Sequence, residues 1–203
     1  MRELRGKQIA VRGFSREEWH RFWCGFVADP VSGQNPFVYG EAKCDSMYEK
    51  ATTCAMTHPS LGIFLPDGMP VGFMELKRID RSRGRCEFGI MMQNDAWKNR
   101  GYGTEAIQLL IHYIFNEMGI RRVYADTMGT NRRMQHLFDK LGFRYICTDW
   151  AYFSLPGQRE DRHNYVLVQR EGDMRIVDYA LVRALPSLIR NLRRAVRIRK
   201  QHE

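Results

Sequence analysis

Lys98-Asn99-Arg100-Gly101-Tyr102-Gly103-Thr104-Glu105-Ala106 is the stretch on which the fold turns. Ahead of it, residues 85–93 read as a strand. Behind it, residues 104–118 read as a helix whose Ile107, Leu110, Ile111, Ile114 and Phe115 fall on one face at helical spacing and form core. Gly101 and Gly103 carry no Cβ that would hold a ligand off the backbone, and they permit angles that aim successive N–H groups into one concavity. The positive end of the helix dipole lies directly behind them. The stretch is therefore a candidate phosphate or pyrophosphate cradle. Asn99, Arg100, Gly101, Tyr102, Gly103 and Thr104 supply backbone donors, and Lys98 and Arg100 supply positive charge.

Downstream, residues 121–128 form a second expected strand, followed by Asn131 and a short helix over 131–141 that ends Lys140-Leu141-Gly142-Phe143. Strands follow at 143–150 and 164–170, with a loop over 156–162 between them. Upstream, residues 8–12 read as a first strand. Ser15, with Glu18 three residues later, makes a capping box for a helix carrying Trp19, Phe22, Trp23 and Phe26. A loop rich in Pro, Gly, Ser and Asn covers 29–39, and a second helix is expected from about 45 to 56. Residues 61–65 and 71–78 are strands joined by the turn Pro66-Asp67-Gly68-Met69-Pro70. An antiparallel meander followed by strand–helix units predicts a mixed α/β sheet.

The series from Gly101-Tyr102-Gly103-Thr104-Glu105-Ala106 through Asn131 to Lys140-Leu141-Gly142-Phe143 resembles motifs A and B of the GNAT acetyltransferase superfamily. Its closest likeness is to the branch containing the ribosomal-protein N-terminal acetyltransferases. Lys98 stands in the family's usual Gln/Arg place, and Phe138 stands where many relatives carry Tyr. The resemblance implies a GNAT-like, mainly antiparallel central sheet flanked by helices, spanning residues 1–172. Residues 173–203 would form a basic amphipathic C-terminal helix.

It also implies an acetyl-CoA-dependent N-acetyltransferase, acting on a primary amine (a protein N-terminus or a small amine) by direct attack in a ternary complex. The alternative is a catalytically weak acyl-CoA-binding module that docks a partner through its tail. By resemblance, the backbone at Met91, Met92 and Gln93 binds the coenzyme arm and the thioester carbonyl, as oxyanion donors do. Asn131 contacts the coenzyme or caps its helix, or does both. Phe138 belongs to the same coenzyme-binding set but cannot donate a proton, which leaves Tyr102, Tyr145, Tyr152 or water to protonate the departing thiolate. Glu87 and Asp126 compete for the role of base. The acceptor surface is expected from loops over 29–60 and 150–163.

At 203 residues and 44% hydrophobic content, the chain is long enough for one well-buried core. Five scattered cysteines without a C-x-x-C pair, and the spacing of His112 and His136, suggest neither a disulfide frame nor a metal site. No apolar run is long enough to span a membrane, and the N-terminus has no signal-peptide core, so a cytoplasmic protein is expected. Eight basic against two acidic residues after residue 173 place +6 of the +9 formal charge in the tail. Interleaved with Leu181, Leu185, Leu188, Leu192 and Val196, this charge suits an anionic membrane surface, RNA or self-association, or a helix packed on its own domain.

Overall fold

The computed structural model describes residues 2–29, 37–155 and 157–169. The elements run β1 (Leu4–Arg5), β2 (Ala10–Arg12), α1 (Arg16–Cys24), α2 (Glu41–Thr53), β3 (Ser60–Phe64), β4 (Pro70–Asp80), β5 (Arg85–Met92), α3 (Tyr102–Asn116), β6 (Arg122–Met128), α4 (Arg132–Lys140), β7 (Arg144–Leu155) and β8 (Gln158–Val168). One eight-stranded sheet carries them in the order β1-β2-β3-β4-β5-β6-β8-β7. Every neighbouring pair is antiparallel except β5–β6. Parallel neighbours need a crossover, and α3 supplies it.

That parallel pairing is short. Its register covers Arg85↔Arg122, Cys86↔Val123 and Glu87↔Tyr124, and then stops. Each strand stays paired on its other side, β5 with β4 as far as Met92 and β6 with β8 as far as Met128. The sheet therefore opens into a V beyond Glu87, and the glycine turn starts α3 at its mouth.

Alternation along β5 decides what lies on each side. Phe88 packs edge-on to Phe138 of α4 and against Phe143. Met91 joins the opposite aromatic cluster of Trp19, Phe22, Trp23, Phe26 and Phe73. Burying each such ring contributes roughly 1.5–3 kcal/mol. Helix α1 enters that cluster through its capping box. Ser15 Oγ accepts from the Glu18 N–H at 3.2 Å, and Glu18 Oε2 accepts from the Ser15 N–H at 2.8 Å.

Several boundaries differ from expectation, for local reasons. The strand expected over 8–12 is the second in the chain, after the unexpected β1. It begins at Ala10, because the N–H groups of Lys7 and Gln8 are taken by the buried Glu105 carboxylate in the first turn of α3. The second helix begins at Glu41 and ends at Thr53. Residues 158–162, expected in a loop, belong to β8. β7 and β8 pair from Leu155↔Gln158 onward, around Gly157 at φ +78°. Across this hairpin Arg162 and Asp149 pair at 2.6 Å, and Asp161 accepts from the Ala151 N–H at 2.8 Å. The basic helix expected over 173–203, and the boundary at 172, lie outside the described residues. Among the described residues no helix is long and apolar enough to cross a membrane.

Candidate active site

Gly101 caps α3 at φ +86°, and Asn99 adopts φ +59° two residues earlier. The first bond within the helix runs from the Glu105 N–H to the Gly101 carbonyl at 3.0 Å. The N–H groups of Tyr102, Gly103 and Thr104 therefore precede the ladder, and no side chain caps them. A Cβ built on Gly103 would meet nothing nearer than Met92 Sδ at 3.8 Å and Ile90 Cδ1 at 3.9 Å. Packing alone does not require glycine at 103, and a methyl group there would project into a cradle of backbone donors. That geometry fits an anionic group at the helix start.

A cavity of about 520 Å³ runs from this turn into the V, touching Met92 and Gly103 at one end and Asp126, Met128 and Asn131 beyond them. From Phe88 to Met92, the edge of β5 that faces β6 has no ladder partner. Alternate backbone groups there are left to a ligand.

Most of the expected coenzyme residues meet at this cavity. Met91, Met92, Lys98, Asn99, Gly101, Tyr102, Gly103, Thr104, Asn131 and Phe138 all line it. Asn131 is buried, and its Oδ1 accepts from the Met134 N–H at 3.1 Å, capping α4. Phe138 is 1% exposed and packs between Phe143 and Tyr165.

Three expectations need correction. Gln93 does not line the cavity. Its backbone N–H donates to the Val71 carbonyl at 2.9 Å, and its side-chain amide donates to the Phe22 carbonyl at 2.8 Å. It clamps the end of α1. Lys98 is not a free charge for phosphate, because its ammonium is held by Asp29 and Asp95. Arg100 donates to the Ala96 carbonyl at 2.7 Å and lies outside the cavity lining. Arg133, which also reaches Asp29 at 3.1 Å, and Lys140 are the basic residues at this cavity that the sequence reading passed over. The Arg132-Arg133 pair directly after Asn131 was the signal for the first of them.

The two candidate bases occupy different environments. Glu87 is gripped by Arg78 at 2.7 Å and Lys77 at 3.6 Å and does not reach the large cavity. Asp126 does reach it, half-buried, with no ion pair or hydrogen bond to its carboxylate among the described residues. Burial first, and the charge of Glu87 second, push the Asp126 carboxyl above its ordinary value. Among the tyrosines, Tyr102 lines the cavity, Tyr145 is bonded to Thr148 at 2.7 Å, and Tyr152 lies under the Arg162 guanidinium.

Residues 8–144 match the family model for the acetyltransferase (GNAT) domain. The chain belongs to the GNAT acetyltransferase family. Its mainly antiparallel sheet is the GNAT fold. Spermidine N(1)-acetyltransferase of Escherichia coli (strain K12) is 30% identical over 105 residues, which is 52% of this chain and 56% of that protein. The chain thus spans about half the length of the curated relatives it matches. Among solved structures, spermidine N-acetyltransferase from Vibrio cholerae in complex with CoA and spermine superposes with a TM-score of 0.67 at 17% identity, covering 81% of this chain and 97% of that one. A Vibrio cholerae protein provisionally described as a ribosomal-protein-serine acetyltransferase does so with a TM-score of 0.70 at 15% identity, covering 83% and 98%. The ribosomal-protein branch thus appears among the structural neighbours, and at these identities the likeness carries the fold alone.

Proposed function

We propose that this GNAT protein transfers an acetyl group from acetyl-CoA to a primary amine by direct attack in a ternary complex. The acceptor class is a protein N-terminus or a small amine. The observation that carries this reading is Asp126. Its carboxyl, raised by burial and without an ion pair or hydrogen bond among the described residues, lies on the cavity that also holds the helix start and the open edge of β5.

Each residue has one task. The N–H groups of Tyr102, Gly103 and Thr104 hold the coenzyme's phosphates, with Arg133 and Lys140 nearby. Asn131 keeps α4 in place with Oδ1 and offers its Nδ2 donors to the coenzyme arm. Alternate backbone N–H groups between Phe88 and Met92 stabilise negative charge growing on the carbonyl oxygen. The bound coenzyme supplies an activated acetyl thioester. Asp126 removes a proton from the acceptor ammonium, and the amine nitrogen bonds to the acetyl carbon as the carbon–sulfur bond breaks. The second proton, which the nitrogen sheds as it becomes an amide, passes through Tyr102 or water to the departing sulfur, since Phe138 has none to give.

A thiol-release assay against a panel of amines and peptides tests this reading. Release that needs both acetyl-CoA and an amine, and that collapses in Asp126→Asn, is the expected result. Tight acetyl-CoA binding with no release from any amine would instead support the binding-module alternative, which the phenylalanine at 138 favours. The charge pattern of residues 174–203 supports a separate role for the tail on an anionic surface, on RNA or in self-association.

A further inference from the structure

Asp126 stands on the wall between two cavities. The second, of about 370 Å³, is lined by Arg78, Arg85, Glu87, Asp149, Arg162 and Asn164 as well as Asp126. Its carboxylates other than Asp126 are already matched by cations. Glu87 meets Arg78 at 2.7 Å, and Asp149 meets Arg162 at 2.6 Å. On the large-cavity side Glu75 is likewise held by Lys77, at 3.1 Å. An acceptor with several ammonium groups needs several unmatched carboxylates, and among the described residues the two cavities together offer one, Asp126.

Arg78 is set apart by its backbone. The β4–β5 register slips between Lys77 and Asp80, and within that slip Arg78 adopts φ +50°. A non-glycine residue in this region is strained, and bulges beside functional sites commonly re-aim a side chain. Here the bulge swings the guanidinium onto Glu87 at the cavity rim, with 74% of the side chain still exposed. Arginine has five N–H donors in a fork, so one edge can keep Glu87 while another meets a ligand anion.

Building on the acetyl-transfer reading, we infer that the second cavity holds the body of an acceptor amine that also bears an anionic group, its ammonium at Asp126 and its anion on Arg78. Specificity then works in both directions: Arg78 attracts the anion and repels a second ammonium.

Matched acceptors isolate that charge. 4-Aminobutyrate, butylamine and 1,4-diaminobutane differ only in the far group, and 3-aminopropylphosphonate separates a phosphorus-centred anion from a carboxylate. For the parent protein kcat/KM should favour at least one anionic acceptor over the diamine by about tenfold or more, as a charge-assisted contact allows. Arg78→Gly relieves the backbone strain, so the variant should fold. It should erase most of that ratio by raising KM for the anionic acceptor. Measured at a pH above the acidic limb, where the charge lost beside Asp126 no longer matters, kcat should stay within about threefold and butylamine should be unchanged. Arg78→Glu should turn the preference toward the diamine. A parent that prefers the diamine, or a ratio that Arg78→Gly leaves unmoved, overturns the inference. If no amine releases thiol, the acetyl-transfer reading has failed, and calorimetric Kd values for the same four ligands still decide this one. Equal affinities, or no binding of any of the four, reject it.

Discussion

Glu87 makes the last ladder pair between β5 and β6, opposite Tyr124, and Asp126 stands two residues further along β6, where the strands have parted. The two carboxylates thus share a neighbourhood but not a state. Arg78 and Lys77 neutralise Glu87, whereas Asp126 has the cavity in front of it and feels Glu87 as a repelling charge. A general base must first reach its proton, and of these two carboxylates Asp126 alone lines the large cavity; burial also moves its pKa upward, the direction such a role needs.

Replacing Asp126 with Asn should lower kcat by about 10²-fold or more, the usual scale for losing a general base. Acetyl-CoA affinity should barely change, because the phosphate donors are in α3. Steady-state kinetics paired with calorimetry checks this. Full turnover in the variant would remove Asp126 from the mechanism.

The pH–rate profile should report the neighbours. Glu87 raises the Asp126 pKa, and Lys77 lowers it. Glu87→Gln removes a repelling negative charge, so the acidic limb of kcat/KM should move to lower pH. Lys77→Met removes an attracting positive charge and should move it to higher pH. Limbs that do not move, or that move the other way, would show that the titrating base is a different group.

Gly103→Val separates coenzyme binding from folding better than a change at Gly101. The φ of +86° at Gly101 strains any side chain, whereas a Cβ at Gly103 finds only ordinary contacts with Met92 and Ile90. The valine fills the cradle, so acetyl-CoA affinity should drop at least tenfold, about 1.4 kcal/mol. The melting temperature should fall only slightly. Parent-like affinity in a folded variant would contradict a phosphate at this turn.

The start of α1 should be acid-sensitive in a defined window. Hydrogen bonds from Arg12, and then those at Ser15, hold Glu18 at about 2, against an ordinary value of 4.5. A depressed folded pKa contributes stability above the unfolded value and loses it as pH falls toward the folded one. The contribution should therefore be intact at neutral pH and fade between about pH 4.5 and 2. Ser15→Ala should cost about 1 kcal/mol at pH 7 by denaturant titration. Glu18→Gln should flatten the acid side of the stability curve, and a curve identical to the parent's would refute the assignment.

Much of the fold was legible along the chain. The capping box at Ser15 and Glu18, the α3 stripe from Ile107 to Phe115 and the turn at Gly101 are local patterns, and local sterics and hydrogen bonding determine them. The β7–β8 hairpin was not legible, because its charged residues resemble a loop until Arg162 and Asp149 are seen to pair across it. Gln93 was misplaced for a related reason: where a backbone group finds its partner, here Val71 and Phe22, is a property of packing.

By itself the sequence determined the order of strands and helices from β2 onward, the glycine cradle at the head of α3 and the two carboxylates worth considering. Periodicity, capping and backbone freedom act over a few residues and are written in them. Only the tertiary structure decided which charges were already matched. It tied Lys98 to Asp29, distant in sequence, gave Glu87 to Arg78 through a bulge, and left Asp126 unmatched among the described residues just past the apex of the V. Electrostatic partnership depends on distance and burial in space, and residue identity alone carries neither.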